Sequence, residues 1–114
     1  MSNYMTVCSV DDIIGSLGVN VLVDGRQVAI FIIDNQPYAL SNFDPFSKVN
    51  VLSRGIVGDL KGELVVASPV YKQHFSLTTG RCLEDPSVSI PVYQVRIQDG
   101  LVQVSTSVEA SAAA

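Results

Sequence analysis

The chain has 114 residues, which is enough for one hydrophobic core and one domain. Its net charge is −4 and its seven Lys and Arg residues are scattered along the sequence, so no basic patch for nucleic acid is predicted. No apolar run approaches the roughly 18 residues of a membrane-spanning helix, and no basic, apolar leader opens the sequence, so we expect a cytoplasmic protein without a membrane anchor.

The first half of the chain predicts one short helix and then an antiparallel meander. Ser9 is suited to cap a helix over residues 10–14. Asp24 and Gly25 suit the positive φ angles of a tight hairpin, and a second turn is predicted at residues 34–37. The strands predicted in this half lie at residues 19–23, 27–33 and 38–40.

The second half predicts further hairpins. Lys61-Gly62 and residues 98–100 supply the turns, and alternation of apolar and polar residues predicts that one face of the last hairpin packs on a core. The predicted strands lie at residues 55–60, 63–67, 74–76, 92–97 and 101–104. Four glycines are expected in left-handed or tight turns, namely Gly58, Gly62, Gly80 and Gly100.

These short strands predict an all-β fold, an antiparallel sandwich or small barrel with at most one short helix. Residues 1–105 are expected to form a single domain. Residues 106–114, rich in Ser and Ala, are predicted as a disordered tail.

The reactive side chains predict no catalytic or metal site. His74 is the single histidine, and neither a nucleophile elbow nor a glycine-rich phosphate loop accompanies it, so a surface or half-buried histidine is expected. Cys8 and Cys82 are expected to be buried free thiols. Glu84 and Asp85, which precede Pro86, are interpreted as a solvated turn.

Two segments carry the most informative pattern. Residues 41–46 are Ser-Asn-Phe-Asp-Pro-Phe, residues 66–71 are Val-Ala-Ser-Pro-Val-Tyr, and His-Phe-Ser-Leu-Thr-Thr-Gly follows at 74–80. These segments resemble the two cluster-binding loops of Rieske iron–sulfur domains, which have Asn-x-Cys-x-His and Cys-Pro-x-His patterns. The resemblance implies a Rieske-like (ISP-type) antiparallel β-sandwich or barrel.

The four positions that match the cluster ligands hold Asp44, Phe46, Ser68 and Tyr71. A Rieske centre takes two cysteines on one iron and two histidines on the other. Phenylalanine has no lone pair, and serine or tyrosine oxygens are harder, rarer substitutes for thiolate and imidazole. The whole chain has one histidine, and neither of its two cysteines lies in either segment. We therefore expect no catalytic residue, metal or cofactor in this chain.

Without metal, other contacts must hold the two segments together. Phe46 and Tyr71 are expected to fill the space by aromatic packing, and Asp44 and Ser68 to exchange hydrogen bonds. A second, compatible hypothesis is that the same loops bind a protein partner, because recognition often uses loops on a rigid β scaffold. The candidate partner-binding residues are Phe46, Lys48, Tyr71, Lys72, Gln73 and His74.

Residues 55–59 and 65–80 make the resemblance more specific. They resemble the small subunit of NADH-dependent assimilatory nitrite reductase, a Rieske-like family that lacks the cluster ligands and carries Ser-Pro-x-Tyr-Lys-x-x-Phe-x-Leu-x-Thr-Gly here. The resemblance implies a non-catalytic accessory subunit of this oxidoreductase, which reduces nitrite to ammonia in nitrate and nitrite assimilation. The implied partner is a large catalytic subunit with an NAD(P)H site, FAD, an iron–sulfur cluster and sirohaem.

Two other hypotheses remain open from the sequence. One is a Rieske-type ferredoxin-like electron carrier with unorthodox ligands, which a reducible two-iron signal would favour. The other is a stand-alone protein-binding domain derived from this fold, which unchanged growth on nitrite after loss of the protein would favour.

Overall fold

The structure is a computed structural model that describes residues 4–13 and 17–108. The described residues form β-strands and two single 3-10 turns, at Val10–Asp12 and Leu52–Arg54, so the all-β prediction is confirmed. The strands are β1 (Tyr4–Ser9), β2 (Val19–Val23), β3 (Arg26–Ile33), β4 (Gln36–Ser41), β5 (Phe43–Asp44), β6 (Val49–Asn50), β7 (Ile56–Leu60), β8 (Glu63–Ala67), β9 (His74–Ser76), β10 (Val92–Gln98) and β11 (Leu101–Val108).

Six strands form an antiparallel sheet in the order β1-β11-β10-β4-β3-β2. Its two edge strands, β1 and β2, approach each other, so that the sheet nearly closes into a barrel. A second sheet has the order β7-β8-β9. Strands β5 and β6, which lie between β4 and β7 in the sequence, pair in a short two-stranded ribbon.

Strand β3 lies between two hydrophobic cores, which explains its nearly continuous apolar sequence. Val28 and Ile30 face the inside of the six-stranded sheet. Ala29 and Phe31 face the other way, toward the three-stranded sheet and its Phe75. A strand that is buried on both faces loses the alternation of apolar and polar residues that a half-buried strand shows.

Four two-residue turns connect neighbouring strands, and both residues of each turn have positive φ. These turns are Asp24-Gly25, Asp34-Asn35, Lys61-Gly62 and Asp99-Gly100. Positive φ at both positions matches the right-handed twist of the flanking strands, so the predicted hairpins are confirmed. The expectation for Gly58 is wrong, because this residue lies within β7 and not in a turn.

The predicted N-terminal helix is a single 3-10 turn. The Ser9 hydroxyl accepts a hydrogen bond from the Asp11 N–H, and the Asp12 carboxylate accepts one from the Ser9 N–H. The predicted cap is therefore present, whereas Ile14 lies outside the described residues. Strand β11 runs to Val108, and the rest of the predicted tail, residues 109–114, also lies outside them. Among the described residues, no helix has the length and apolar character needed to cross a bilayer.

Gly80 and Gly100 allow a matched test of the turn geometry, since each has a φ of +78°. A Cβ at position 80 would overlap the Ile90 carbonyl oxygen, whereas a Cβ at position 100 would meet nothing within 4 Å. We expect Gly100→Ala to lower the free energy of unfolding by about 1–2 kcal/mol, the cost of a left-handed alanine. Gly80→Ala should lower it by at least about 3 kcal/mol, because the overlap adds to that cost. Urea unfolding measures both, and equal losses would contradict the overlap.

Candidate functional site

Two loops of similar construction lie at the ends of β5 and β8. They are loop 1, residues 44–48, and loop 2, residues 68–72. Each begins with a polar residue followed by proline and ends in a lysine of positive φ, 64° at Lys48 and 67° at Lys72. The Lys48 N–H donates to the Asp44 carbonyl oxygen at 2.7 Å, and the Lys72 N–H donates to the Ser68 carbonyl oxygen at 3.1 Å. Each loop is thus closed by its own backbone.

The polar residue that begins each loop also caps it. Asp44 Oδ1 accepts from the Phe46 N–H at 2.9 Å, and Ser68 Oγ accepts from the Val70 N–H at 3.3 Å. The same two side chains then meet, because Ser68 Oγ donates to Asp44 Oδ2 at 2.5 Å. The expected hydrogen bond between the loops is therefore present.

The linking residues Asp44 and Ser68 are fully buried. Burial alone would oppose ionisation of the Asp44 carboxyl group. The hydrogen bonds from the Ser68 hydroxyl and the Phe46 N–H outweigh burial and hold the pKa of Asp44 below its ordinary value. Asp44 thus acts as a charged acceptor that holds both loops.

Asn42, between β4 and β5, anchors loop 1 to the chain that follows β6. Its side chain Oδ1 accepts from the Ser53 N–H at 2.6 Å, and its backbone carbonyl accepts from the N–H groups of Val51 and Leu52. The residue is only 1% exposed. These contacts fix where the chain leaves β4 and where it returns after β6.

The four positions that match Rieske ligands do not fit a two-iron cluster. Asp44 and Ser68 are engaged with each other, and the Phe46 ring packs against Phe75 with 6.1 Å between ring centroids. Tyr71 is 60% exposed, so it does not fill the space between the loops as expected. In the part of the chain that the structure describes, no three His, Cys, Asp or Glu side chains are arranged to hold a metal ion.

The two cysteines lie in other parts of the fold. Cys8 lies on β1. Cys82 is fully buried, and its backbone pairs with that of Phe75 on β9 in an isolated antiparallel β-bridge. Both are free thiols, and burial raises the pKa of each thiol above its ordinary value. The expected burial holds for Cys82, whereas Cys8 is only partly buried.

Glu84 holds His74, the first residue of β9 just after loop 2, a contact that the sequence did not predict. Its carboxylate accepts from the His74 N–H at 2.7 Å and lies 2.6 Å from His74 Nδ1. Although burial favours the neutral acid, these contacts lower the pKa of Glu84. Glu84 is exposed, as expected of a solvated turn, and it also gives His74 a structural partner. The Gln73 carbonyl oxygen, in turn, accepts from the Ser68 N–H.

The outward side of the two loops is apolar and basic. Of the residues expected to bind a partner, Lys48, Tyr71 and Lys72 are exposed, whereas Phe46, Gln73 and His74 are partly buried. Three exposed apolar residues near these positions, Phe43, Val49 and Val70, were not predicted from the sequence. We call the exposed set the tip surface, and it consists of Phe43, Lys48, Val49, Val70, Tyr71 and Lys72.

The opposite end of the six-stranded sheet is acidic. Strand β4 runs from the Asp34-Asn35 turn to loop 1, so this turn lies at the far end from the loops. Strand β10 runs antiparallel to β4, which places the Asp99-Gly100 turn at the same far end. The Val10 N–H donates to the Gly100 carbonyl oxygen, which brings the first 3-10 turn there as well. The carboxylates of this far end are Asp11, Asp12, Asp34 and Asp99.

Comparisons with known proteins agree with this geometry. Residues 3–105 match the model of the Rieske-like [2Fe-2S] domain family. The chain is 46% identical over 106 residues to the nitrite reductase (NADH) small subunit of Salmonella typhimurium, covering 91% of this chain and 98% of the relative. It is 48% identical to a nitrite reductase [NAD(P)H] small subunit from Erwinia carotovora solved by NMR, with a TM-score of 0.79 over 92% of this chain and 82% of the other.

A third relative is much longer than this chain. It is the nitrite reductase [NAD(P)H] large subunit of Klebsiella oxytoca, which is 38% identical over 101 residues. The match covers 89% of this chain and 11% of the relative. In that protein, a domain of this kind is therefore part of the large subunit's own polypeptide.

The link between the loops can be measured by a double-mutant cycle. Ser68→Ala and Asp44→Ala each leave a buried polar partner unsatisfied, so each should lower the free energy of unfolding by about 1–3 kcal/mol. Because both changes remove the same bond, the double variant should lose less than the sum of the single losses, by about 1–2 kcal/mol. Urea unfolding of the four proteins provides the test, and additive losses would show that the two side chains do not interact.

Acid should weaken the fold through Asp44. Because its folded-state pKa lies below its ordinary value, the stability it contributes is complete above that value and is lost as the pH falls through the lowered pKa. We expect Asp44→Asn to be less stable than the parent at pH 7 and to lose less stability between pH 5 and pH 2. The pKa of Glu84 is lowered as well, so the Glu84→Gln variant serves as the matched control that measures how much of the acid sensitivity comes from Glu84. If the free energy of unfolding falls equally with pH in the parent and in Asp44→Asn, Asp44 is not the source of the acid sensitivity.

Proposed function

We propose that this chain, which belongs to the Rieske-like [2Fe-2S] domain family, is the small accessory subunit of an NADH-dependent nitrite reductase. It supports the reduction of nitrite to ammonia in nitrate and nitrite assimilation. The observation that carries this proposal is the Ser68–Asp44 hydrogen bond, which joins the two loops at positions where a Rieske domain holds its cluster ligands. The chain therefore acts through contact with a partner and not by carrying electrons.

The partner in this proposal is the large catalytic subunit of nitrite reductase. The relatives from Salmonella typhimurium and Erwinia carotovora are named as small subunits of this enzyme. The Klebsiella oxytoca relative, in which a similar domain makes up 11% of a large subunit, supports direct contact between the two. Two domains that work in contact can belong to one polypeptide in one organism and to two separate chains in another.

The proposal assigns the redox cofactors to the large subunit. Reduction of nitrite to ammonia takes six electrons, and such chemistry depends on cofactors that a protein binds and orients. FAD, an iron–sulfur cluster and sirohaem would be held by the large subunit, together with the NAD(P)H site. Because NADH is a cytoplasmic reductant, we place the complex in the cytoplasm.

We further propose that the tip surface contacts the large subunit. Val70 and Tyr71 supply exposed apolar area, and Lys48 and Lys72 place positive charge beside it on a chain of net charge −4. This pattern suits an apolar site with an acidic rim, because opposite charges steer two proteins into register. Phe46, Gln73 and His74, which are partly buried, would stabilise the conformation of the loops beneath this surface.

The first test is reconstitution of activity. The large subunit is purified alone and after co-expression with this chain, and nitrite-dependent oxidation of NADH is measured for both preparations. We expect the complex to be isolated intact and to be more active than the large subunit alone. A chain that neither binds the large subunit nor changes its activity would refute the proposed function.

Two tip variants localise the contact. Tyr71→Ala removes exposed apolar area without touching a core, so it should weaken binding at least about tenfold while the melting temperature stays unchanged. Lys72→Glu should weaken binding about fivefold to tenfold at low salt and less at high salt. Arg96→Glu, the same charge change on the outer face of β10, is the control and should bind like the parent. Binding is measured by titration calorimetry, and parental affinity in both tip variants would exclude the tip surface.

A further inference from the structure

Strand β7 is the outer strand of the three-stranded sheet, and one of its edges is open. Since a two-residue turn joins β7 to β8, residues 60, 58 and 56 form the hydrogen-bonded pairs with β8. The N–H and C=O groups of Val57 and Asp59 therefore point away from β8. No other strand or loop among residues 4–13 and 17–108 hydrogen bonds to these backbone groups.

The side chains of β7 do not protect this edge. Ile56 is 74% exposed and Leu60 is 40% exposed, and both lie on the same face of the strand. Natural edge strands are usually blocked by charged side chains, proline or a bulge, because an open apolar edge pairs with other strands. The one charged side chain of β7, Asp59, is engaged with the Gly62 N–H of the adjoining turn, and both ends of the strand are apolar.

Gly58, between these two residues, has no structural reason to be glycine. Its φ is not positive, and a Cβ built on it would meet nothing within 4 Å. Each of the other glycines that the structure describes has either a positive φ or a close neighbour that excludes a side chain. Glycine in a strand interior weakens the strand and often marks a place where another backbone approaches closely.

The open edge of β7 starts at the end of the sheet where loop 2 lies. Ile56 pairs with Ala67, which directly precedes Ser68, the first residue of loop 2. The β7 edge therefore begins at the end of the three-stranded sheet from which loop 2, with Val70 and Tyr71, extends.

The charges around β7 indicate what kind of strand fits. Arg54 precedes the strand and Lys61 follows it, and both are exposed. With Lys48 and Lys72, four of the seven basic residues of this acidic chain surround the tip and this edge. An added strand would be favoured by acidic residues at its two ends.

The same charges oppose pairing between two copies of the chain. An antiparallel pair of β7 strands centred on Gly58 would place Arg54 of one copy beside Lys61 of the other at both ends. In that register Arg54 is opposite Gly62 and one position from Lys61 of the other copy, so like charges repel at short range at both ends.

We propose that β7 pairs with an extended segment of the large nitrite reductase subunit, apolar at alternate positions and acidic at its ends, which adds a fourth strand to the β7-β8-β9 sheet. This inference rests on the proposed function. It adds a specific mode of recognition, in which backbone hydrogen bonds provide affinity and the exposed side chains provide selectivity.

The test removes one outward backbone donor. Asp59→Pro eliminates the Asp59 N–H, and proline is tolerated where the N–H of an edge strand faces outward. Asp59→Ala is the matched control, because both variants lose the carboxylate that accepts from the Gly62 N–H. We expect Asp59→Ala to bind the large subunit within about twofold of the parent. Asp59→Pro should bind about tenfold more weakly, because it loses a hydrogen bond and the ring obstructs the added strand.

Hydrogen exchange gives a second, direct measurement. The amides of Val57 and Asp59 should exchange rapidly in the free chain and at least about tenfold more slowly in the complex with the large subunit. If Asp59→Pro fails to fold, Ile56→Ser tests the same edge, with Leu22→Ser on β2, 63% exposed, as its control.

The outcomes separate this inference from the proposed function. Equal affinities of Asp59→Pro and Asp59→Ala, or unchanged exchange at Val57 and Asp59, would overturn strand addition. If Tyr71→Ala still weakens binding in that case, the accessory-subunit function stands. Failure of the parent chain to bind the large subunit would remove both.

Discussion

The hydrogen bond from the buried Ser68 hydroxyl to the Asp44 carboxylate is the contact on which the shape of the tip depends. A Rieske cluster would join two loops at these positions through four metal–ligand bonds. A hydrogen bond to a charged group contributes only about 1.5–3 kcal/mol, so it cannot organise two unstructured loops alone. Each loop is instead closed by its own backbone bond, from Lys48 to Asp44 and from Lys72 to Ser68. The link between the loops therefore joins two turns that are already formed.

The scaffold beneath the loops supplies the remaining rigidity. The Phe46 ring extends the core through Phe75, and Glu84 fixes the chain at His74 through both its backbone and its ring. Asn42 performs the corresponding task for loop 1. Preorganisation of this kind lowers the entropy lost on binding. A tip without metal can therefore present a defined surface to a partner.

The sequence predicted what depends on local chemistry and missed what depends on distant contacts. The hairpin turns follow from residues such as Asp24-Gly25, which favour positive φ wherever they occur. Strand β1 was missed because its partner, β11, lies about a hundred residues later and the pairing is interrupted by an irregularity after Thr6. The contact between Glu84 and His74 spans ten residues and has no sequence signature. Resemblance to a family identified the two loops, but only the structure separates the exposed Tyr71 from the packed Phe46.

The exposure of Tyr71 has an energetic meaning. A tyrosine that is 60% exposed leaves on the order of 100 Å² in contact with water, and burying the apolar part would contribute about 2 kcal/mol at ~25 cal/mol per Å². Val70, next to it in loop 2, and Ile56, at the loop-2 end of β7, are also exposed and add further apolar area. A single exposed apolar residue is ordinary, whereas several of them on two linked loops that each end in a lysine suit recognition. Since Asp44, Phe46 and Ser68 are internal supports whereas Tyr71 is exposed, the proposed contact would stabilise a complex by surface burial where a Rieske domain would transfer an electron.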